Sequence, residues 1–581
     1  MAEPRPLPAL ARWLPVLDWG RRYDRDTFAG DAVAAAIVAI LLIPQSLAYA
    51  LLAGLPPEAG LYASVAPLFA YTLFGSSRVL AVGPVAVVSL MTAAAVAEVV
   101  PAGSGLQWQA ALTLAFLSGL VLLAMGLLRL GFIANFLSHP VISGFITASA
   151  LLISVSQLPA LLGLPAERQA PLALLASLPG RLSQVQGLTL GVSVAVIAYL
   201  WWVRRHLALV LQRAGIAQRH ALLAARAAPV AAIVLSTLLA WALDWQAEGL
   251  AVVGAIPQGL PPLTAPSWDP ALWRSLALPA LLIGVVGFVE SVSVGQTLAA
   301  KRRERIEPDQ ELVALGAGNL SAAFSGGFPV TGGFARSVVN FDAGARTPAA
   351  GAYTALVLLV ASLLLTPLLH HLPQATLAAT IVVAVLSMAD FGMLARTWRY
   401  SLADFAAVAS TLVATLLLGV EQGLIAGVGV SLALHLLRSS RPHIAAVGLV
   451  PGTEHFRNVQ RHAVRTSPRL LALRVDESLY FANARVLEDR INDAVASHPE
   501  LEHVVLQCSA INDIDASALE SLEAIAHRLR EAGVRLHLSE VKGPVMDRLG
   551  GTDLLRELSG RVFLTHYQAV GELTPEVLRA S

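Results

Sequence analysis

The chain has 581 residues, of which 56% are hydrophobic and only 14% charged, against about a quarter charged in a soluble domain. Most of its surface must therefore face lipid or packed helices. The net charge of +1 gives no reason to expect a nucleic-acid partner, and the single cysteine, Cys508, excludes an intramolecular disulfide and a cysteine-cluster metal site.

Residues 1–30 are interrupted by Pro, Arg and Asp and lack the compact apolar stretch of a cleaved leader. They read as a cytoplasmic lead-in, with Trp13, Trp19 and Tyr23 among Arg21, Arg22 and Arg25 at the inner interface. Runs long enough to span a bilayer then begin. The first, about 31–54, is expected to break at Pro44; the second follows the turn Leu55-Pro56-Pro57-Glu58; the third opens at Val82-Gly83-Pro84-Val85. Proline is favoured in a first helical turn, where its missing N–H would have no partner. Further runs lie near 109–128, 136–163, 188–203 and 226–243, and a Pro/Trp-rich stretch at 244–275 marks a midpoint. The pattern resumes at 276–299, 312–326, 334–341, 349–369, 374–391, 403–420 and 423–437. Seven segments in each half, the third of each opened by Gly or Pro, point to an inverted-repeat transporter with its site at the midplane.

The second of these openings, Gly326-Gly327-Phe328-Pro329-Val330-Thr331-Gly332-Gly333-Phe334-Ala335-Arg336-Ser337, is where the chemistry concentrates. Glycine and proline deny a continuous helix, so a fresh helix is predicted to start near Gly333 in mid-membrane. Its unpaired N–H groups and dipole attract anions. Arg336, the only ionisable residue between Glu311 and Asp342, adds a full positive charge; the alternative is a side chain snorkelling to the cytoplasmic surface. Glu290 is likewise alone between Arg274 and Lys301. A carboxylate at membrane depth is costly while charged, which suits a proton carrier; the competing reading is a structural pair with Arg336. Gln45 and Tyr49, four apart, share a helix face and serve either a site or interhelical packing. Val85 by itself reads as packing. His370, His371 and His435 lie near segment ends without metal spacing. Ser-His-Asp patterns, P-loops and nucleotide fingerprints are absent, so no enzyme, cofactor or metal is predicted.

Beyond Arg438 the composition turns charge-rich. Leu470–Val475, His503–Cys508 and Val534–Ser539 read as strands, alternating with helices striped by Leu487, Ile491 and Val495 and by Leu519, Leu522, Ile525 and Leu529. This predicts a small α/β domain at 455–575, cytoplasmic like the N-terminus because the number of spans is even. The membrane domain is expected at 31–438, with repeats at about 31–245 and 276–438. In Asp513-Ile514-Asp515-Ala516-Ser517, Asp515 or Ser517 is placed to cap a helix. A phosphate on Ser517 would also suit a helix N-terminus, which makes it a candidate regulatory site.

Several stretches together resemble the sulfate permease (SulP) family, relatives of the animal pendrin- and prestin-type anion transporters. They are Ile43-Pro44-Gln45-Ser46-Leu47-Ala48-Tyr49-Ala50, Ala53-Gly54-Leu55-Pro56-Pro57 with Gly60-Leu61-Tyr62, Val82-Gly83-Pro84, and Asn135-Phe136-Leu137-Ser138 with Val141, then Asn319-Leu320 and Phe328-Pro329 through Arg336-Ser337. The C-terminal part resembles a STAS domain, and the likeness runs from about Trp13 to about Tyr567.

The resemblance implies an α-helical polytopic membrane protein with about fourteen segments in two inverted repeats of seven. A core (segments 1–4 and 8–11) would slide against a gate (5–7 and 12–14) in an elevator mechanism, in a homodimer. The anion would lie between the N-termini of segments 3 and 10, lined by Gln45, Tyr49, Val85, Phe334, Ala335 and Arg336. Many relatives carry Ser where this chain has Ala335, which removes a hydroxyl. Members with Glu at the place of Glu290, followed as here by Ser291-Val292-Ser293-Val294, resemble proton-coupled importers. Soluble STAS relatives carry a phosphorylated Ser or Thr near Ser517. The expectation is a bacterial inner-membrane proton symporter importing sulfate or a C4-dicarboxylate, with an unidentified partner for the STAS domain. The alternatives are sodium-coupled bicarbonate uptake, with Ser291 and Ser293 adding oxygen ligands to Glu290, or an exchanger or channel of the same fold.

Overall fold

The structure, a computed structural model, describes residues 13–101, 105–136, 139–165 and 171–579. Residues 1–12 of the lead-in and Leu137-Ser138 of the Asn135–Ser138 motif lie outside the described residues. The chain divides into two compact units, Met1–Ser431 and Leu432–Ser581.

Among the described residues, fourteen helices of the first unit and its exit fall on the runs read from the sequence, and shorter ones, Pro171–Arg181 and Gly392–Tyr400 among them, lie between these. The first seven are α1 (Arg25–Leu52), α2 (Pro57–Phe74), α3 (Ala86–Val99), α4 (Gln107–Leu127), α5 (His139–Ser156), α6 (Gly187–Trp202) and α7 (Gln218–Ala242). The second seven are α8 (Pro270–Lys301), α9 (Pro308–Phe324), α10 (Phe334–Ala343), α11 (Ala349–Leu364), α12 (Gln374–Leu386), α13 (Leu402–Leu418) and α14 (Val420–Ser439). Arg25–Leu52, Gln107–Leu127 and Pro270–Lys301 are among the described helices long and apolar enough to cross a membrane.

Local chemistry sets many of the starts. Asp24 accepts from Thr27 N at 2.8 Å to begin α1, and Asp269 accepts from Ala271 N at 2.9 Å to begin α8. Pro57, Pro270 and Pro308 occupy first-turn positions of α2, α8 and α9. Contrary to the expected break, α1 runs unbroken through Pro44. The ring removes one N–H from the ladder, a loss that membrane helices tolerate when neighbours pack around it.

Several buried clusters hold these helices together. One joins α1, α2, α4, α8, α9 and α11 through Leu42, Leu68, Leu122, Phe288, Leu315 and Leu358. A second links Leu47 of α1, Val88 of α3 and Ile283 of α8 to Ile153 of α5, Ile233 of α7 and Leu377 of α12. Another joins Val192, Val196 and Leu200 of α6 to Ala232 of α7 and Ala375, Ala378 and Ala379 of α12. Within the first of these clusters, α4 and α9 approach closely because both lack side chains where they cross. A Cβ on Gly119 would lie 2.8 Å from Leu320 N, and one on Gly316 would lie 2.8 Å from Leu123 N.

The second unit holds a six-stranded sheet in the order β4-β3-β5-β6-β7-β8. Its strands are β3 (Ile444–Leu449), β4 (Phe456–Asn458), β5 (Leu470–Val475), β6 (His503–Gln507), β7 (Arg535–Ser539) and β8 (Val562–Phe563); β1 and β2 belong to the first unit and are described below. β5 through β8 pair in parallel, whereas β3 is antiparallel to both its neighbours. Helices α15 (Ala484–Ser497) and α16 (Ala516–Glu531) bury Leu487, Ile491, Leu522, Ile525 and Leu529, the stripes read from the sequence. The sheet begins at Ile444, ahead of the expected boundary at residue 455. Ile444-Ala445-Ala446-Val447 follows a membrane helix so closely that its apolar pattern merges with the helix's own.

Candidate anion-binding site

Two helices begin in the interior of the first unit instead of at its rim. Val82–Gly83 (β1) and Thr331–Gly332 (β2) form a two-residue antiparallel pair, with Val82 opposite Gly332 and Gly83 opposite Thr331. Immediately after these strands the chain turns into α3 and α10. Neither helix has a side-chain cap: Val85 and Gly333 hold the N-cap positions in extended conformation without a capping bond. The first intrahelical bonds run from Ser89 N to Val85 O at 2.9 Å and from Ser337 N to Gly333 O at 3.1 Å. The N–H groups of Ala86, Val87 and Val88, and of Phe334, Ala335 and Arg336, lie ahead of them. Both helix starts therefore present free donors and positive dipole ends.

Surrounding polar groups fix this pair of starts. Asn319 of α9 holds Val330 on both sides, accepting from its N and donating to its O, each at 2.9 Å. Ser291 of α8 accepts from Gly332 N at 2.9 Å, lies 2.8 Å from Thr331 Oγ1 and donates to Gly287 O at 2.7 Å. Gly333 N donates to Ala81 O at 3.1 Å, and Ala81 N donates to Ser337 Oγ at 3.0 Å. These bonds tie β1–α3 to β2–α10.

Arg336 reaches from the first turn of α10 to the other helix start, where Nη1 donates to Pro84 O at 2.6 Å. The side chain is 3% exposed. Among the described residues, its Nε and Nη2 have no hydrogen-bond partner. Buried donors of a charged group are costly to leave unpaired, and their chemistry suits an anionic acceptor. Glycine makes the room: a Cβ on Gly333 would lie 2.8 Å from Nη2, and one on Gly83 would lie 3.3 Å from Nη1.

A cavity of about 660 Å³ lies in front of these groups. Gln45, Tyr49, Val85, Glu290, Phe334, Ala335 and Arg336 all line it, so the sequence-predicted membrane residues converge on one space. The opposite wall includes Ile153 of α5, Ile233 of α7 and Ile381 of α12. Glu290 interacts electrostatically with Arg336 but, among the described residues, forms neither an ion pair nor a side-chain hydrogen bond. The fully buried carboxylates elsewhere in the unit differ. Glu311 accepts from Ser76 N, Ser76 Oγ, Ser77 N and Tyr71 OH, and Asp31 accepts from Arg346 N, Thr347 N, Thr347 Oγ1 and Tyr23 OH. Those two hold backbone and hydroxyl groups of neighbouring segments in place, which Glu290 does not among the described residues.

The sulfate permease family profile matches residues 28–411. The chain belongs to the sulfate permease family. A STAS domain matches residues 461–569. This family member is 35% identical over 541 residues to "Sulfate transporter 4.1, chloroplastic" of Arabidopsis thaliana, covering 91% of this chain and 76% of that one. It is 31% identical over 597 residues to "High affinity sulfate transporter 2" of Stylosanthes hamata, covering 97% and 86%. Its fold is similar to that of the murine Solute Carrier 26 family member A9 anion transporter in the inward-facing state, with a TM-score of 0.86 and 22% identity over 98% of this chain and 96% of that one. The transmembrane domain of a cyanobacterium bicarbonate transporter, BicA, matches with a TM-score of 0.60 and 25% identity over 70% of this chain and 99% of that one. This sulfate permease family protein is a membrane anion transporter, not an enzyme.

Sequence reasoning did not pick out Arg204, which lines the same cavity. It sits in a π-helical turn, Val203–Leu207, that continues α6, and its Nη1 donates to Val383 O near the end of α12 at 3.2 Å. A π turn interrupts the α-helical register and often marks a functional position, but the run Trp202-Val203-Arg204-Arg205-His206 carries no signal for one. Ser517 belongs to the second unit, exposed in the first turn of α16. Asp515 is the cap of that helix, accepting from Ala518 N at 2.8 Å, and its second oxygen accepts from Phe481 N at 2.9 Å.

Proposed function

We propose that this transporter imports a small oxyanion dianion, with sulfate the first candidate, by symport with a proton. The carrying observation is the buried Arg336 guanidinium, with two unpartnered donors, between two uncapped helix starts. Each helix start is equivalent to roughly half a positive charge, so with the guanidinium the site offers about +2. A dianion matches that charge only while Glu290 is protonated; with Glu290 ionised, a monoanion matches better. Dianion and proton uptake are thereby coupled through one carboxyl group. The named relatives that transport sulfate point the same way.

Sodium coupling is disfavoured by the bonding of Ser291, whose hydroxyl already engages Gly287 O, Thr331 Oγ1 and Gly332 N. The bicarbonate transporter among the structural neighbours keeps a monoanion as the second candidate. Gln45, Tyr49, Val85, Phe334 and Ala335 complete the anion's surroundings in this proposal. The cavity lies between the helices α1, α3, α8 and α10 and the wall of α5, α7 and α12. That placement suits an elevator motion of the first group, in a homodimer within a bacterial inner membrane, with the N-terminus and STAS domain cytoplasmic.

The test is uptake of labelled sulfate, bicarbonate, succinate and fumarate into proteoliposomes under an imposed pH or sodium gradient. Sulfate uptake driven by an inward proton gradient and abolished in Arg336→Gln is expected. Sodium-driven bicarbonate uptake, or transport that survives loss of Arg336, overturns the reading.

A further inference from the structure

The C-terminal unit holds a second concentration of positive charge. A recess of about 400 Å³ is lined by His443, Arg457, Arg461, His462, Arg474 and Asp476. His443 immediately precedes β3, Arg457 lies on β4, and Arg474 and Asp476 lie at the end of β5. A tight turn brings the remaining two alongside: Asn458 Oδ1 accepts from Gln460 N at 2.8 Å, and Asn458 O accepts from Arg461 N and His462 N, each at 3.1 Å.

The one carboxylate in the recess is already engaged. Arg474 Nε donates to Asp476 Oδ1 at 2.5 Å and Nη2 to Oδ2 at 3.0 Å, while His443 Nδ1 lies 2.8 Å from Oδ2. Burial alone would raise the Asp476 carboxyl, but the hydrogen bonds from Arg474 and His443 hold it below the usual carboxylate range. Arg474 and Asp476 therefore cancel. Arg457 and Arg461 remain, with no side-chain hydrogen bond or ion pair among the described residues. Arg457 and Arg461 are exposed and bring two uncompensated charges to the edge of one recess, where an anion could bridge them.

We infer that this recess binds a phosphate dianion, as free phosphate or as the headgroup of a phosphomonoester lipid. A phosphomonoester carries about −1.5 to −2 near neutral pH, which matches the two uncompensated charges. The planar fork of arginine suits its oxygens. The helix α14 ends at Ser439, and His443 of the recess follows four residues later in the chain; basic clusters close in sequence to a membrane segment are suited to anionic lipid headgroups.

The test uses the full-length protein in an Arg336→Gln background, so that the membrane cavity does not contribute. Inorganic phosphate binding is measured by calorimetry. Retention of phosphatidic acid against phosphatidylglycerol is measured by native mass spectrometry. The same measurements are made after adding Arg457→Gln and Arg461→Gln, with unchanged circular dichroism and melting showing that the exposed substitutions leave the fold intact. Phosphate binding that weakens at least tenfold in the double substitution supports a free-phosphate site. Selective phosphatidic acid retention lost in the double substitution supports a lipid site. Absence of both in the parent, or equal binding after the substitutions, overturns the inference.

Discussion

Gly333→Ala isolates the role of the guanidinium better than removal of Arg336, because it moves the charge and leaves it present. Gly333 has φ −87° and ψ 131°, a conformation alanine adopts freely, so the backbone is not strained. The added Cβ would stand 2.8 Å from Arg336 Nη2 and 2.9 Å from Nε. That is roughly 0.7 Å inside comfortable contact. The guanidinium is the flexible end of its side chain and gives way, so the cost to stability is about 1 kcal/mol or less. The cost to binding is larger. At an effective dielectric of about 20, a unit charge roughly 4 Å from a dianion contributes about 8 kcal/mol. Retreat by the same roughly 0.7 Å loses about 1 kcal/mol, or five- to tenfold in affinity. Sulfate uptake kinetics in proteoliposomes should show that rise in KM, at equal reconstituted protein and near-equal melting temperature. An unchanged KM would refute the placement of the anion against Arg336. Gly83→Ala is a poorer probe because Gly83 has φ +157°, which strains any other residue.

Glu290→Gln should transport without dependence on the proton gradient while retaining anion binding; uptake that still follows the gradient removes Glu290 from the coupling. Asn319→Ala strands the buried N–H and C=O of Val330, which costs about 2–4 kcal/mol in total and should lower the melting temperature in detergent; an unaltered melt would show that the clamp is dispensable. Arg204→Gln should raise KM about two- to fivefold at low salt, with the difference shrinking as ionic strength passes about 0.15 M; equal KM at low salt refutes a contribution from Arg204. In the C-terminal unit, burial, reinforced by His503 and Arg535, pushes the His537 imidazole down to about 4. It stays neutral when folded and takes a proton when unfolded. Its contribution is therefore complete above about pH 6.5 and falls as pH drops toward 4, by up to about 3 kcal/mol. Calorimetric melts between pH 7.5 and 4.5 should show the loss in wild type and a flatter profile in His537→Asn; identical profiles would refute it.

The helix starts at Ala86 and Phe334 were legible because Gly and Pro punctuate the apolar runs just before them. Arg336 and Glu290 stood out because each is alone in a long uncharged stretch. Pairing is a different matter. Nothing in Val82-Gly83 or Thr331-Gly332 announces a strand of two residues matched to another some 250 positions away, and Asn319 reads as one polar residue among many until its two bonds to Val330 are seen. Arg204 was hidden by its neighbours, since Arg and His after a Trp-ended run suggest an interface. Pro44 misled in the other direction: local steric rules favour a break, but tertiary packing carries α1 through it.

The short antiparallel join between β1 and β2 limits how a bound solute can leave. Parting its two edges would strip amide and carbonyl groups of their mates where no water can replace them. The cradle consequently cannot open like jaws. In the mechanism proposed above, release of the cargo shifts that stitched seam in one piece.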